Sequence, residues 1–372
     1  MNVSEKIKSG TGIKVLSLFD GISCGMIALE RVGIPVHRYE AYEIESNAIK
    51  ISKKNYPQIE HCGDVTAADF TRYEGFDLLI GGSPCTYWSI AKKGREINPD
   101  GIGGQLFMHY VRALKESKCK YFLYENNYSI HKNIKNFISG QLGVKPIMIN
   151  SALVSGQLRR RCYWTNIPNV TQPEDKGIML ADILDDAVSW QDKSYCMTAS
   201  YGGAVFYNTL ERKQRTMVAV PVGEAQRGRY TQTGSRSKKA EGGMEQHIEI
   251  RSDNKSNCLT TVQKDTLVCA PVRIGQYGKG GQGQRIYSVR GKSVTLSANG
   301  GGWGAKTGLY KIDLPDGDYI IRKLTPVEAE RLQTLPDNYT DGISNTQRYK
   351  CIGNGWTVDV ISHIFSGLKD SN

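Results

Sequence analysis

The sequence lacks any run of the ~18 apolar residues needed to cross a membrane. Its first 14 residues are polar and mildly basic, without the apolar core of an export signal. Both absences predict a cytoplasmic chain, bacterial or in a phage-infected host, with no membrane partner. The 9 cysteines form no Cys-x-x-Cys pair and no Cys/His group at zinc spacing. Such an odd, scattered set argues for a reducing compartment and against a structural metal. The turn after the first apolar strand has no Gly-x-Gly-x-x-Gly, which removes a nicotinamide oxidoreductase. What remains, at 372 residues, is room for one large or two ordinary domains with a real core.

Charge is plentiful but uneven. Residues 188–311 hold 19 Lys/Arg against 8 Asp/Glu, whereas the rest of the chain balances at 29 each, so this stretch carries the whole formal net charge of +11. It also holds 18 of the 40 glycines and shows little helical periodicity. A basic, Gly-rich, strand-and-loop segment beside a neutral body points to a polyanion-binding module set into an enzyme core.

The N-terminal body alternates strands and helices. Residues 13–19 read as a buried strand, 20–25 as a Gly turn, 26–32 as a helix, 38–43 as a strand ending on Glu43, and 46–56 as a second helix. Cys62-Gly-Asp64-Val65 closes a third strand. The series predicts an α/β fold with a doubly wound, mostly parallel sheet. In such a sheet the first Gly turn approaches a nucleotide-like ligand, and the acid after the second strand meets a ribose.

Two further apolar runs end on reactive groups. Residues 76–85 run into Gly-Gly-Ser-Pro84-Cys85, and residues 121–126 deliver Glu125 and Asn126. A lone Pro-Cys is more often a buried small hydrophobe than a nucleophile. Paired with a carboxyl group on the same sheet rim, the thiol suits attack on an electron-poor ring whose nitrogen the acid protonates.

Read in order, Phe19-x-Gly21, the Glu43 strand end, Gly63-Asp64-Val65, Gly-Ser-Pro-Cys85, Glu125-Asn126, Gln157-Leu-Arg159-Arg-Arg161, Arg322-Lys-Leu-Thr-Pro-Val-Glu328 and Gly353-Asn354-Gly-Trp356 resemble the ordered motifs of the DNA (cytosine-5) methyltransferases. The wording is closest to bacteriophage and bacterial enzymes. A further likeness to mammalian de novo methyltransferases lies in Phe19-Asp-Gly21, the Cys85 turn and the Trp356-Thr-Val-Asp-Val tail. The likeness spans about residues 13–166 and 320–368 and leaves the basic segment where that family puts its target-recognition domain. It divides the chain into a catalytic domain of residues 1–167 and 322–372, with a recognition domain at 168–321 between them.

The resemblance implies a Rossmann-like, S-adenosylmethionine-dependent enzyme acting as a monomer on double-stranded DNA. Cys85 would add to C6 of cytosine, Glu125 would engage N3, Asn126 would hold the loop or the acid, and Arg159 and Arg161 would support base and carboxylate. For the cofactor, Phe19 would stack on adenine, Glu43 would take the ribose hydroxyls and Asp64 the adenine amine. Gly21, Gly25, Val65 and Pro84 would complete the site, with Asn354 and Trp356 closing the methionine side. Sharing the core, an RNA methyltransferase and a non-catalytic DNA-binding paralogue are the competing readings. The long basic insert speaks against the first, and the presence of both Cys85 and Glu125 against the second.

Residues 89–105, basic and flanked by glycines, read as a lid with Gly hinges, its Ser89, Lys92, Lys93 and Arg95 contacting DNA. Asn127 stands where the family pattern has Val, and Tyr87-Trp88 is bulkier than the usual residues there, so Trp88 is a candidate to fill space around base or cofactor. Lys193-Ser-Tyr-Cys-Met-Thr198, residues 255–260 and residues 292–297 repeat one short unit at irregular spacing. The unit is either a duplicated recognition element or a scaffold that reuses one hairpin.

Overall fold

Apolar runs become inner strands. After α1 (Val3–Ser9), β1 (Ile13–Leu18) is buried at every position but Lys14, as expected of a strand covered on both faces. Then follow α2 (Cys24–Arg31), β2 (Val36–Tyr42), α3 (Ser46–Asn55), β3 (Glu60–Gly63), β4 (Leu78–Gly81), α4 (Ile102–Ser117), β5 (Tyr121–Asn127), α5 (Lys132–Leu142), β6 (Ile147–Asn150) and β7 (Arg160–Thr165). They make a seven-stranded sheet of order β3-β2-β1-β4-β5-β7-β6. Every neighbouring pair is parallel except those of β7, which runs against both β5 and β6. This is the doubly wound, mostly parallel sheet predicted. The chain winds outward in opposite directions from β1 and β4, so the switch point lies where the Phe19-Gly21 turn and the Cys85 turn emerge.

The computed structural model describes residues 1–90, 92–230, 244–251, 273–276, 285–287 and 318–369. Two units can be distinguished: Met1–Met179, Lys193–Gly202 and Thr325–Asn372 form the first, Leu180–Asp192 and Gly203–Leu324 the second. In the second, α6 (Phe206–Leu210) precedes β8 (Met217–Tyr230), β9 (Met244–Arg251), β10 (Arg273–Gln276), β11 (Arg285–Tyr287) and β12 (Asp318–Lys323). β8 pairs antiparallel with β9 and β12, and β10 with β11.

The chain returns to the first unit as α7 (Pro326–Leu332), α8 (Asn345–Asn354) and α9 (Val358–Ser366). Thr325 and Glu328 form a reciprocal capping box ahead of α7, with Pro326 at its first position. α9 packs on α2, and Arg31 pairs with Asp359.

Of the boundaries that differ from the sequence reading, three are informative. β1 stops at Leu18 because Phe19 takes φ +56°, a left-handed conformation costly for an aromatic residue. α2 starts at Cys24, two residues early, which places Gly25 inside the helix; a Cβ there would lie 2.3 Å from Ile80 Cδ1. Gly25 is thus where α2 touches β4. The first repeat copy belongs to the first unit: Lys193 Nζ donates to the carbonyls of Ala152 (2.9 Å) and Ser155 (3.1 Å), and Met197 N to Gln157 Oε1 (3.2 Å). There it acts as scaffold. Residues 255–260 and 292–297, the other copies, lie outside the described residues.

Candidate active site

The Cys85 turn is fastened to β5. Ser83 Oγ and Tyr124 OH share a 2.6 Å hydrogen bond, and Asn126 Nδ2 donates to Ser83 O and Tyr124 OH, both at 3.2 Å. Asn126, buried, therefore holds the turn and does not line the cavity. Gly82 allows the approach, since a Cβ there would lie 2.9 Å from Glu125 O and 3.2 Å from Glu125 Oε2.

Strand alternation presents Glu125 and Asn127 on one face. There they join Cys85 in a cavity of about 300 Å³, which Phe19, Gly21, Glu43, Pro84, Arg159, Arg161, Asn354 and Trp356 also line. Glu125 is gripped at both oxygens: Arg161 Nε lies 2.9 Å from Oε1, and Trp356 Nε1 donates to Oε2 at 3.0 Å. Burial pushes the Cys85 thiol upward; Arg161 pulls it back, Glu125 raises it, and Arg159 and a hydrogen bond from Asn127 lower it. At rest the sulfur is a thiol, beside cations that favour its ionisation on attack.

Arg159, ahead of β7, works differently from Arg161. Its guanidinium donates to Met197 O (2.7 Å), Gly353 O (3.2 Å) and Gly355 O (2.8 Å), stitching the C-terminal segment to the start of β7. Both arginines reach Cys196 Sγ, at 3.5 and 3.9 Å. Burial alone would raise the Cys196 thiol; the two arginines more than reverse it, leaving it lowered.

On the other wall, Glu43 accepts from Gly21 N, Ile44 N and Glu45 N, each at 2.8 Å. Of the four acceptor positions on a carboxylate, one is left open. Phe19 leans on the core while lining the cavity. Asp64, Val65 and Gly25 do not line it: Asp64 caps a turn by accepting from Thr66 N at 2.8 Å, and Val65 is core.

The segment after Cys85 is tethered. Trp88 is fully buried, its Nε1 donating to Glu96 Oε2 at 3.1 Å, and Gly103 N reaches the same oxygen at 3.2 Å. Trp88 is a core anchor and lines neither base nor cofactor space. Gly103 and Gly104 are close-packing positions within α4; a Cβ would lie 2.5 Å from Trp88 Nε1 and 1.7 Å from Pro99 O respectively. Arg95 donates to Ser129 O at 2.8 Å, and Lys92 Nζ sits 4.5 Å over the Tyr87 ring. Lys92 and Lys93 are exposed, while Ser89 is half-buried with its N–H on Cys85 O at 2.9 Å.

Ile44, Glu45, Lys350, Thr86 and Asn127 line the cavity without having been singled out as ligands. Ile44 carried a signal, a large apolar residue directly after a strand-end acid, and it is 73% exposed. One group among the described residues, Glu40, Glu60 and Cys62, has metal-binding geometry, but Arg38 and Arg72 pair with its two carboxylates. Among the described residues no helix is long and apolar enough to cross a membrane.

The chain is similar to known proteins along nearly its whole length. It is 28% identical to the type II methyltransferase M.HhaI of Haemophilus parahaemolyticus, covering 98% of this chain and 97% of that one. With the orphan methyltransferase M.SPRI of Bacillus phage SPR it shares 23% identity, over 96% and 97% of the two chains. In fold it is similar to DNMT2 from Spodoptera frugiperda, with a TM-score of 0.55, 14% identity and 96% and 99% coverage. Residues 13–370 match the profile of the C-5 cytosine-specific DNA methylases. A match of that length, over a sheet with the switch-point cavity just described, makes the chain a member of the C-5 cytosine-specific DNA methylase family.

Proposed function

We propose that the protein transfers a methyl group from S-adenosylmethionine to C5 of cytosine at a specific sequence in duplex DNA. The observation that carries the reading is the convergence of Cys85, Glu125 and Arg161 on the cavity that Phe19 and Glu43 line from the other side. The cofactor suits that second wall: an aromatic face at Phe19, one open acceptor position on Glu43, the exposed apolar Ile44, and the segment from Gly353 to Trp356. When bound, it supplies an electrophilic methyl group on sulfur.

The chain's own residues prepare the ring. Glu125, in its protonated form, passes its proton to N3, which draws electron density from C6. Cys85 gives up its proton to water and forms the S–C6 bond as the C5–C6 double bond opens, the displaced electron pair making C5 nucleophilic. Arg161 neutralises the charge that builds beside Glu125 and the sulfur. After C5 is methylated its proton passes to water, the C5–C6 double bond re-forms, Cys85 departs as thiolate and N3 returns its proton to Glu125. A target cytosine inside a duplex must first swing out of the stack, at a cost of a few kcal/mol. The basic residues of the 188–311 stretch supply phosphate binding toward that cost.

Expression in a bacterium free of cytosine methylation, followed by bisulfite sequencing of DNA and RNA, tests the reading. Unconverted cytosines in one DNA sequence context, lost in Cys85→Ala, are expected. Protection confined to RNA would move the substrate, and protection in neither would overturn the proposal.

A further inference from the structure

Trp356 reaches the cavity on the C-terminal segment, yet its one polar atom is turned away from any cofactor role. Nε1 donates to Glu125 Oε2 at 3.0 Å, while Arg161 holds Oε1. The indole has no other hydrogen-bonding group. Its backbone is pinned on both sides: ahead of it Gly355 O accepts from Arg159 Nη2 at 2.8 Å and from Gln333 Nε2 at 3.0 Å, and behind it Val358 N donates to Gln333 O at 3.0 Å. Gly82 keeps the contact clear, because a Cβ there would stand 3.2 Å from Oε2 and 3.6 Å from the indole nitrogen.

We infer that Trp356 is a positioning residue for Glu125, fixing the carboxyl group toward the target ring through its indole N–H. The inference rests on the proposed role of Glu125. Arg161 alone leaves the carboxyl group free to rotate about its single point of attachment. A second donor at the other oxygen fixes the plane, and because that donor is neutral it adds direction without adding charge. The same residue belongs to the segment that lines the cofactor wall, so its contact joins the two halves of the site across 231 residues of sequence.

The test is Trp356→Phe, which keeps the apolar body and removes the N–H, measured in the full-length protein. The turnover rate at saturating DNA and cofactor is expected to fall about tenfold or more, the scale of one hydrogen bond to a charged group. Calorimetric affinity for S-adenosylmethionine, which also reports folding, is expected to stay within about twofold of wild type. In a Glu125→Gln background the same substitution is expected to cost far less in single-turnover rate, since the carboxylate it orients is gone. An unchanged turnover rate, a loss confined to cofactor affinity, or an equal loss in the Glu125→Gln background would overturn the inference while leaving methyl transfer intact. A wild-type chain that methylates nothing would instead overturn the parent reading, and this inference with it.

Discussion

At the scale of single residues, Asn127 shows what a departure from a family pattern can mean. It follows Glu125 by two positions on β5, so it shares the carboxylate's face and its side chain reaches the Cys85 sulfur. Burial is the main influence on that thiol and pushes it up, so at neutral pH only a small fraction is thiolate and the single-turnover rate is expected to climb with pH. Asn127→Val removes a group that stabilises the thiolate, which raises the thiol further. The rising limb should therefore move to higher pH, with a several-fold deficit at neutral pH that closes in alkali. A deficit constant across pH would show that Asn127 acts by shape alone. Cysteine labelling of the site needs Cys196→Ser as background, because the two arginines lower that thiol and make it the readier competitor.

Among elements, the packing of the stretch from Cys85 to α4 was not legible in the sequence. Its glycines and basic residues read as a hinged lid, yet Gly103 and Gly104 are held tight in a helix and Arg95 is engaged by Ser129 O. Local composition does not reveal a partner such as Glu96, which satisfies both the Trp88 indole and the first turn of α4. Strand-end chemistry was far more legible. Cys85, Glu125 and Glu43 were placed correctly at the sheet rim, because buried strands advertise themselves as apolar runs and the polar residue that ends each one has nowhere to go but the rim. Arg159 was legible as a site residue but not as a stitch to Gly353 and Gly355, since that depends on a segment 194 residues away. Trp88→Ala is expected to cost about 3–5 kcal/mol in denaturant unfolding, the range for emptying an aromatic core position. Lost turnover with unchanged stability would restore Trp88 to the base or cofactor.

For the whole molecule, the decisive asymmetry is electrostatic. The excess of 19 Lys/Arg over 8 Asp/Glu in residues 188–311 equals the entire formal net charge, so on the proposed function the methyl transfer and the hold on DNA would fall to different parts of one chain. Much of that stretch lies outside the described residues, but its charge follows from sequence alone. Phosphate contacts release counterions, and each one contributes a slope of about −0.9 to log K against log salt on duplex DNA. Arg236, Lys238 and Lys239 place three basic residues within four positions there, with no acid among them. If all three contact phosphate, replacing them with Gln should flatten the slope by about 2.7 and weaken binding uniformly across sequences. Turnover at saturating DNA and low salt should persist, because Cys85, Glu125 and Arg161 stand in the other unit. Filter binding over a salt series, beside turnover at the lowest salt, separates the outcomes. An unchanged slope would place these cations in solvent, and lost turnover at saturation would mean that the cluster takes part in presenting the base as well as in holding the duplex.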